Sequence, residues 1–313
     1  MKRFKNILLV CNFDARPHMA VDRAVSLAKN NEAQLTVFTV VKERSVDARM
    51  VFTHIPPEEL RSRVIDDNRT KVDALAADIG QHVIDVRSQV VTGIPFLEII
   101  RQVLRDKHDL VILASEGKGG IQDRLFGATS MHLMRKCPCP VWVVKRAQTR
   151  PYTRILAAVD PSINDSRRGA INPLILQLAS GMARMEAGEL HIIHAWQLFG
   201  ERYVRSSGMT MASVQEAKML EKKQHKQRFD TLLNRAGVAD LKPYVHLIEG
   251  SPEDCIPELV AEKGIDLLVM GTVCRIGIAG FLIGNTAEEV LNQVDCSVLT
   301  IKPEGFVTPV PIE

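Results

Sequence analysis

Cysteine is scarce in this chain, with six residues scattered over 313 positions. Disulfide-stapled secreted proteins are far denser in cysteine, so the sequence argues against a disulfide framework and favours a reducing cytoplasm. It also lacks any apolar run near the ~18 residues that a membrane-spanning helix needs, so we expect no membrane insertion. The apolar segment at residues 7–11 is too short for an export signal and predicts a first β-strand.

A charge excess of one sign is missing as well. The 40 basic and 37 acidic side chains give a formal charge of +3, which provides no indication of a nucleic-acid partner. Hydrophobic residues at 46% and charged residues at 25% are ordinary for a globular protein. The length is about twice that of a typical domain of roughly 150 residues, so we expect two domains.

The two halves of the chain repeat each other. At an offset of 157 residues, matched positions recur in pairs: Gly80 and Gly237, Gly93 and Gly250, Pro95 and Pro252, Asp109 and Asp266, Gly127 and Gly284, Cys139 and Cys296, Lys145 and Lys302. We therefore predict two homologous domains in tandem, at residues 1–146 and 153–303, followed by a C-terminal tail at 304–313.

Strand and helix patterns alternate in each half. Apolar, β-branched runs predict strands at residues 6–12, 34–41, 86–91, 109–114 and 141–145, and again at 154–160, 189–196, 244–249, 266–271 and 297–302. Helical periodicity fills the intervals, with Gly80 and Gly237 at the expected helix ends. The pattern predicts an α/β fold with a mostly parallel sheet and helices on both faces.

A glycine-rich segment follows the fourth strand of the second half. Gly271, Gly277, Gly280 and Gly284 punctuate a loop, and residues 286–289 fit a capping box that predicts a helix start at 285 or 286. Glycines and a helix N-terminus together can cradle a phosphate, but the same pattern also suits a turn that only lets a helix pack on the sheet. No Walker motif occurs, which argues against a P-loop NTPase.

This segment resembles the signature of the universal stress protein family, G-x2-G-x9-G-[ST], with Gly271 and Gly284 as its first and last glycines. The strand that ends in Asp160 resembles the first strand of that family, and the likeness covers nearly the whole chain, as a tandem-domain type. The resemblance implies an adenine nucleotide alpha hydrolase-like α/β fold with a five-stranded parallel sheet in each domain and helices on both faces. It also implies, in some members, bound ATP or a related adenine nucleotide.

The resemblance also implies a set of binding residues in the second domain. Asp160 would lie against the adenosine and Val159 against the base. The phosphates would be lined by residues at the end of the fourth strand and the start of the next helix: Met270, Gly271, Thr272, Gly284, Asn285 and Thr286.

The chain departs from the family pattern in both halves. In the second half Cys274 replaces the middle glycine and Asn285 replaces the hydroxyl residue. In the first half the departures are larger: Asn12 for the aspartate, Ala114 for the first glycine, Ala128 for the hydroxyl residue, and an acidic Glu116 beside Gly117. A carboxylate there would repel a phosphate, so we expect no nucleotide in the first domain.

Other candidate chemistry is weaker. His191 and His194 lie three apart on a predicted strand and therefore face opposite sides, which excludes a shared metal, although His194 could line the ligand cleft. The pair Cys137 and Cys139 lacks the second pair that a structural zinc site needs, and Cys139 is interpreted as a small buried apolar residue, like its counterpart Cys296. The basic run at 218–228 predicts a solvated helix face.

The last strand of each half is apolar, and an exposed apolar edge needs a partner. Universal stress proteins pair through this strand. The resemblance therefore implies a pseudo-dimer of the two domains inside one chain, and it leaves room for a homodimer.

Three functions remain open at this point. The first is a non-catalytic stress-response regulator that binds an adenine nucleotide in its second domain and acts on unidentified protein partners. The second is a nucleotide-independent interaction scaffold or a binder of an apolar ligand. The third is a weak ATPase, for which Asp160 is the one candidate residue.

Overall fold

The computed structural model describes residues 3–13, 18–42, 56–115, 126–145, 151–161, 171–198, 211–272 and 284–312. The strands are β1 (Asn6–Val10), β2 (Gln34–Val41), β3 (Val86–Thr92), β4 (Leu110–Ala114), β5 (Val141–Val144), β6 (Arg154–Ala158), β7 (Glu189–Trp196), β8 (Tyr244–Glu249), β9 (Leu267–Gly271) and β10 (Ser297–Ile301). Every predicted strand is confirmed, with ends that differ by two residues at most.

Helices connect the strands of each half. They are α1 (His18–Asn31), α2 (Pro57–Gly80), α3 (Pro95–Asp106), α4 (Ala128–Lys136), α5 (Ile171–Glu186), α6 (Met211–Ala236), α7 (Pro252–Lys263) and α8 (Asn285–Gln293), with a 3-10 turn at Ala239–Leu241. Gly237 follows α6 with φ +61°, so the predicted glycine end is confirmed there. At Gly80 it is wrong, because α2 includes that glycine and ends through Gln81 in the right-handed region.

The ten strands form one continuous sheet in the order β3-β2-β1-β4-β5-β10-β9-β6-β7-β8. Neighbours within each half are parallel, and each half has the order 3-2-1-4-5 of a doubly wound sheet. The halves join where β5 and β10 pair antiparallel, with Trp142 opposite Leu299. The predicted α/β fold with two tandem domains and the predicted pairing of the last strands are both confirmed.

The sheet separates two apolar cores, each of which runs through both domains. Successive strand residues point to opposite faces, so Leu9 and Leu299 enter one core while Leu8 and Val298 enter the other. Helices α1, α2, α5 and α6 cover the first face, and α3, α4, α7 and α8 cover the second. The join at β5 and β10 is therefore buried on both sides.

Two buried lysines at equivalent positions of the two domains each form a hydrogen bond across this join. Lys145 follows β5 and donates its Nζ proton to the Val294 carbonyl at the end of α8, 2.6 Å away. Its counterpart Lys302 follows β10 and donates to the Met134 carbonyl in the last turn of α4. Because the last carbonyls of a helix lack intrahelical donors, each Nζ supplies a donor to the helix end of the opposite domain.

A second contact joins the domains on the first core face. Arg23 of α1 and Glu186 of α5 form an ion pair at 2.6 Å, with both side chains 8% exposed. The Arg23 guanidinium also lies 3.8 Å from the centre of the Tyr152 ring, and the Tyr152 backbone N–H donates to Glu186. Tyr152, in the segment that links the domains, is therefore held by Arg23 of the first domain and by Glu186 of the second.

Replacing Lys302 by methionine should remove a pH-dependent contribution to the free energy of unfolding. Burial lowers the pKa of Lys302 to about 7, while an unfolded lysine keeps its proton to about pH 10. Between these values the unfolded state binds more protons, so the stability of the native chain rises with pH, by up to about 4 kcal/mol from this group. Chemical denaturation from pH 7 to pH 10 should give a flatter curve for Lys302→Met.

The variant leaves the buried polar groups paired, because the Thr272 hydroxyl also donates to the Met134 carbonyl at 3.2 Å. Lys145→Met is the matched control, and it should lose stability because that ammonium lies 3.7 Å from the Asp295 carboxylate. Parallel pH curves for Lys302→Met and the native chain would contradict the prediction.

Candidate functional site

The predicted binding residues lie at the topological switch point of the second domain. Strand β6 pairs with β7 on one side and with β9 on the other. The helices that follow β6 and β9, α5 and α8, cover opposite faces of the sheet. In such sheets a crevice opens at the carboxyl ends of the two strands, where ligands bind. Asp160 follows β6, and Gly271 ends β9.

Asp160 is held in place through its backbone. Its N–H donates to the side-chain oxygen of Asn172 at 3.1 Å, and its carbonyl accepts from the Asn172 amide at 2.8 Å. Asn172 is buried in the first turns of α5, whereas the Asp160 side chain is 51% exposed. The carboxylate therefore stands at the crevice on a fixed backbone. Val159, one residue earlier, is buried in the first core.

Gly271 has a packing reason to be glycine. A Cβ at this position would lie 2.7 Å from the Cδ1 atom of Ile171, which is the first residue of α5. The space that the missing side chain leaves is therefore filled by α5. The neighbouring Met270 side chain is buried in the second core, on the other face.

Among the described residues, no acceptor is recorded for the backbone N–H groups at the start of α8. Its N-cap is Gly284, and the first intrahelical bond runs from the Glu288 N–H to the Gly284 carbonyl at 3.1 Å. The N–H groups of Asn285, Thr286 and Ala287 precede that bond and have no helical acceptor. Asn285 is exposed and Thr286 half-buried. Three backbone donors at the positive end of a helix can bind an anion.

The predicted capping box is wrong in its register, although the helix start itself is confirmed. The box needs Thr286 at the N-cap, but the backbone turns into the helix at Gly284, so Thr286 is already inside the first turn. No side chain caps the helix, Asn285 included. The helix start thus keeps its donors for another partner.

The acidic charge in this first turn is partly neutralised from the first domain. Glu288 lies in the first turn of α8 and forms an ion pair with Arg135 of α4. The arginine comes from the equivalent helix of the other half. An anion at the helix start is thereby spared part of the repulsion from Glu288.

Thr272 lies within the join between the domains. It is fully buried, and its hydroxyl contacts Lys302 and the Met134 carbonyl of α4. Its N–H donates to the Ile301 carbonyl at 3.2 Å, and its carbonyl accepts from Gly284 at 3.1 Å. Each polar group of Thr272 is therefore engaged within the protein, and the residue fixes both ends of the glycine segment.

Two buried histidines lie next to Asp160, one on β7 and one on α6. His194 on β7 is 1% exposed, and its Nδ1 lies 4.0 Å from the Asp160 carboxylate. Its Nε2 lies 2.7 Å from Nδ1 of His225 on α6, and Nε2 of His225 lies 3.3 Å from Glu221. Burial lowers the pKa of His194 to about 4. The expected place of His194 beside the cleft agrees with this geometry.

Asn172, His225 and Arg135 were missed by sequence reasoning. His225 carries a weak signal, because it shares one helix stripe with the buried Val214 and Phe229, at spacings of eleven and four. We interpreted this region only as a basic solvated face. Asn172 is a polar residue at the start of an apolar helix, which could also have been noticed.

The remaining candidates have structural roles. His191 packs on the opposite face of the sheet from His194 and contacts His246 at 3.1 Å, as the strand spacing predicts. Cys139 is buried 3.6 Å from Cys137, and the hydrogen bond to Cys137 together with burial raises its pKa. Burial raises the pKa of Cys296 to about 12. Both thiols are therefore inert apolar residues, as expected.

The corresponding place in the first domain has the same backbone but different side chains. Asn12 follows β1, Ala114 ends β4, and α4 begins at Ala128 after an uncapped Gly127. The acidic departure Glu116 and the retained Gly117 beside it lie outside the described residues, as do Cys274, Gly277 and Gly280 of the second domain.

Three further observations concern the rest of the described structure. A cavity of about 410 Å³ lies at the opposite, amino end of β9 and β10, lined by residues such as Val260, Asp266 and Ser297, and so it is remote from Asp160. Within the described ranges, no group of three histidine, cysteine or acidic side chains could hold a metal ion. Nor does any described helix combine the length and apolarity needed to cross a bilayer.

Known proteins match both halves of the chain. The model of the universal stress protein family matches residues 3–145 and again 151–302. Universal stress protein E of Escherichia coli (strain K12) is 26% identical over 315 residues, which cover 100% of this chain and 98% of that protein. The Universal stress protein E homolog of Haemophilus influenzae is 26% identical over 96% of this chain and 98% of its own length.

Solved structures show the same fold. A crystal structure of a functionally unknown protein from Pseudomonas aeruginosa has a TM-score of 0.72 and 24% identity, covering 97% of this chain and 94% of that one. A universal stress protein from Archaeoglobus fulgidus has a TM-score of 0.62 and 18% identity, covering 95% and 96%. Since the family model matches both halves, this chain belongs to the universal stress protein family, as a tandem pair of its domains.

Proposed function

We propose that this protein is a non-catalytic stress-response regulator that binds ATP or a related adenine nucleotide in its second domain, residues 153–303. The first domain, residues 1–146, serves as a structural and partner-facing half. Similarity along the whole chain to proteins named Universal stress protein E supports the role in stress. The free, buried cysteines among the described residues suit the cytoplasm, where we place the protein.

One observation carries the nucleotide proposal. Within the part of the chain that the structure describes, no side chain caps the three backbone N–H donors in the first turn of α8, which lie at the switch point where Asp160 presents a carboxylate. The donors suit a phosphate, and the carboxylate suits the hydroxyl or amino groups of an adenosine. The two features are the polar ends that a nucleotide requires.

The binding residues then divide by what they can offer. Asp160 would accept hydrogen bonds from the adenosine, while Gly284, Asn285 and Thr286 would surround the phosphates. The side chains of Val159, Met270 and Thr272 are buried, so these residues would shape the walls of the crevice rather than bind through polar atoms. Gly271 would form its floor.

Gly284→Asp should abolish nucleotide binding without harming the fold. Gly284 has φ −59° and ψ 138°, which any residue adopts, and aspartate is a preferred N-cap. Its carboxylate would take the free N–H groups and repel a phosphate. In thermal denaturation with Mg-ATP at about 100 times the dissociation constant, the native chain should gain ~2.7 kcal/mol, and the variant none.

Gly127→Asp is the matched control, since Gly127 is the N-cap of α4 at the equivalent place in the first domain. This variant should keep the full ATP-dependent stabilisation. An equal loss in both variants would place the nucleotide elsewhere, and a folded native chain without any ATP effect would refute the proposal.

A second candidate function is a nucleotide-independent scaffold or a binder of an apolar ligand, and the contact of Ile171 with Gly271 favours it. Packing alone then explains the glycine, as it would in a turn that only seats a helix on the sheet. The same ATP titration separates the two functions.

The packing role of Gly271 can be measured directly. Gly271→Ala should lower the free energy of unfolding by about 1 kcal/mol, because its Cβ would overlap Cδ1 of Ile171. In an Ile171→Val background, which lacks that atom, the same change should cost almost nothing. A double-mutant cycle by urea denaturation should show coupling above ~0.5 kcal/mol. If the two costs simply add, the packing explanation is wrong.

We expect no ATPase activity above background. A weak ATPase needs a group that orients water, and Asp160 faces the expected place of the adenosine rather than the helix start that would hold the phosphates. Release of inorganic phosphate that disappears in Asp160→Ala would support the enzymatic alternative.

A further inference from the structure

His194 and His225 form a buried pair that neither the packing of the sheet nor the nucleotide proposal explains. The two imidazoles are joined at 2.7 Å between Nε2 of His194 and Nδ1 of His225, and both side chains are less than 10% exposed. One end of the pair points to Asp160 at the crevice. The other points to Glu221 on α6, so a carboxylate stands at each end.

Counting protons shows why this arrangement is unusual. Two of the three contacts are within hydrogen-bonding reach, His194 with His225 at 2.7 Å and His225 with Glu221 at 3.3 Å, and each of them needs one N–H. Two neutral imidazoles supply these two N–H groups. The lone pair on Nδ1 of His194 then faces the Asp160 carboxylate, 4.0 Å away, unless the pair carries an additional proton.

The buried ring nitrogen of His194 is the atom that an additional proton would change. Among the described residues, Nδ1 of His194 has no hydrogen-bond partner, and the Asp160 carboxylate lies 4.0 Å from it. If His225 is protonated, it donates to both Glu221 and His194, and the remaining N–H of His194 is then on Nδ1 and faces Asp160. One additional proton on the pair therefore directs an N–H towards each of the two carboxylates.

We propose that His194 and His225 form a proton relay that positions the Asp160 carboxylate, so that ligand binding at Asp160 is coupled to one proton held by the pair. The ligand part of this inference rests on the proposed nucleotide function. His194 and His225 are positioning residues, because they act through Asp160 and not on the ligand itself.

His225 lies between a carboxylate and an indole ring, whereas His194 is the more deeply buried of the pair. Burial lowers the pKa of His194 to about 4, with Asp160 opposing that change, so His194 stays neutral near pH 7. Glu221 lies one helical turn from His225, and the Trp196 ring packs beside it at 5.6 Å between centroids.

The other neighbours add little net charge. One more turn along α6, Lys218 is paired with Glu249 of β8 at 2.6 Å. On the far side of His194 the Phe229 ring makes an edge contact at 5.6 Å between centroids. From α5, the neutral Asn172 holds the Asp160 backbone. The charges that act on the pair are thus chiefly the two carboxylates.

Loss of the proton should weaken ligand binding. When the pair loses its additional proton, the N–H of His194 is on Nε2 and a lone pair is on Nδ1, so the Asp160 carboxylate no longer faces an N–H of this ring. Affinity for Mg-ATP, measured by isothermal titration calorimetry, should therefore fall roughly fivefold between about pH 6 and pH 8. His225→Gln should remove this dependence.

A ligand-free measurement tests the relay itself. In the NMR titration of selectively labelled histidines in the full chain, the His194 and His225 resonances should move together with one midpoint. Asp160→Asn and Glu221→Gln should each lower that midpoint, because each removes a carboxylate that favours the proton. His246→Gln, in the other histidine pair on the opposite face, is the matched control and should leave the midpoint unchanged.

The two proposals fail in different ways. Independent titration of His194 and His225 would overturn the relay even if ATP binds. So would a titration midpoint of the pair that is unchanged in Asp160→Asn. A joint midpoint that responds to both carboxylates supports the relay. A native chain that binds no ATP at any pH would overturn the nucleotide function and the ligand coupling with it, and pH-independent affinity would overturn the coupling alone.

Discussion

The antiparallel pairing of β5 with β10 is the constraint on which the rest of this structure depends. It turns two five-stranded parallel sheets into one sheet of ten, and it gives each terminal strand a partner that it would otherwise need from another chain. Because both faces of the join are covered, two apolar cores run without interruption from one domain to the other. The apolar core of each domain therefore continues into the other domain.

The join also ties the candidate site to the opposite domain. Lys302 reaches across to α4, and it shares its acceptor with Thr272, the residue from which the glycine segment departs. Arg135 of α4 pairs with Glu288 in the first turn of α8. The helix start that would hold an anion is thus anchored and partly neutralised by groups of the first domain. An isolated second domain would lack these contacts, which is a physical reason for keeping the two copies in one chain.

The two copies kept the same backbone and diverged in their side chains. Both halves have the same strand order, and both put an uncapped glycine before the helix that follows the fourth strand. The second copy places a carboxylate after its first strand, where the first copy has Asn12. That carboxylate is backed by two buried imidazoles, which ordinary packing does not require. Among the described residues, the second crevice thus has a carboxylate with two imidazoles behind it, where the first has an amide.

Periodicity and the internal repeat determined most of the fold. Buried strands of a parallel sheet are apolar on consecutive positions, so their locations are a local property, and all ten were predictable from the sequence. The repeat predicted the tandem arrangement, and the glycine segment with Asp160 predicted which end of the sheet carries the candidate site. Helix ends were less secure, as Gly80 and Thr286 show, because the backbone path at a terminus depends on what packs against it.

Only the tertiary structure decided which side chains meet. His194 and His225 are 31 positions apart, and Arg135 and Glu288 are 153 apart, so no local pattern could pair them. Thr272 looked like a phosphate contact by its place in the motif, yet its hydroxyl lies in the join between the domains. The sequence by itself determined the elements and their order, because these follow from the local alternation of apolar and polar residues. The contacts that give the crevice its charge and its protons arose only when the strands were brought side by side.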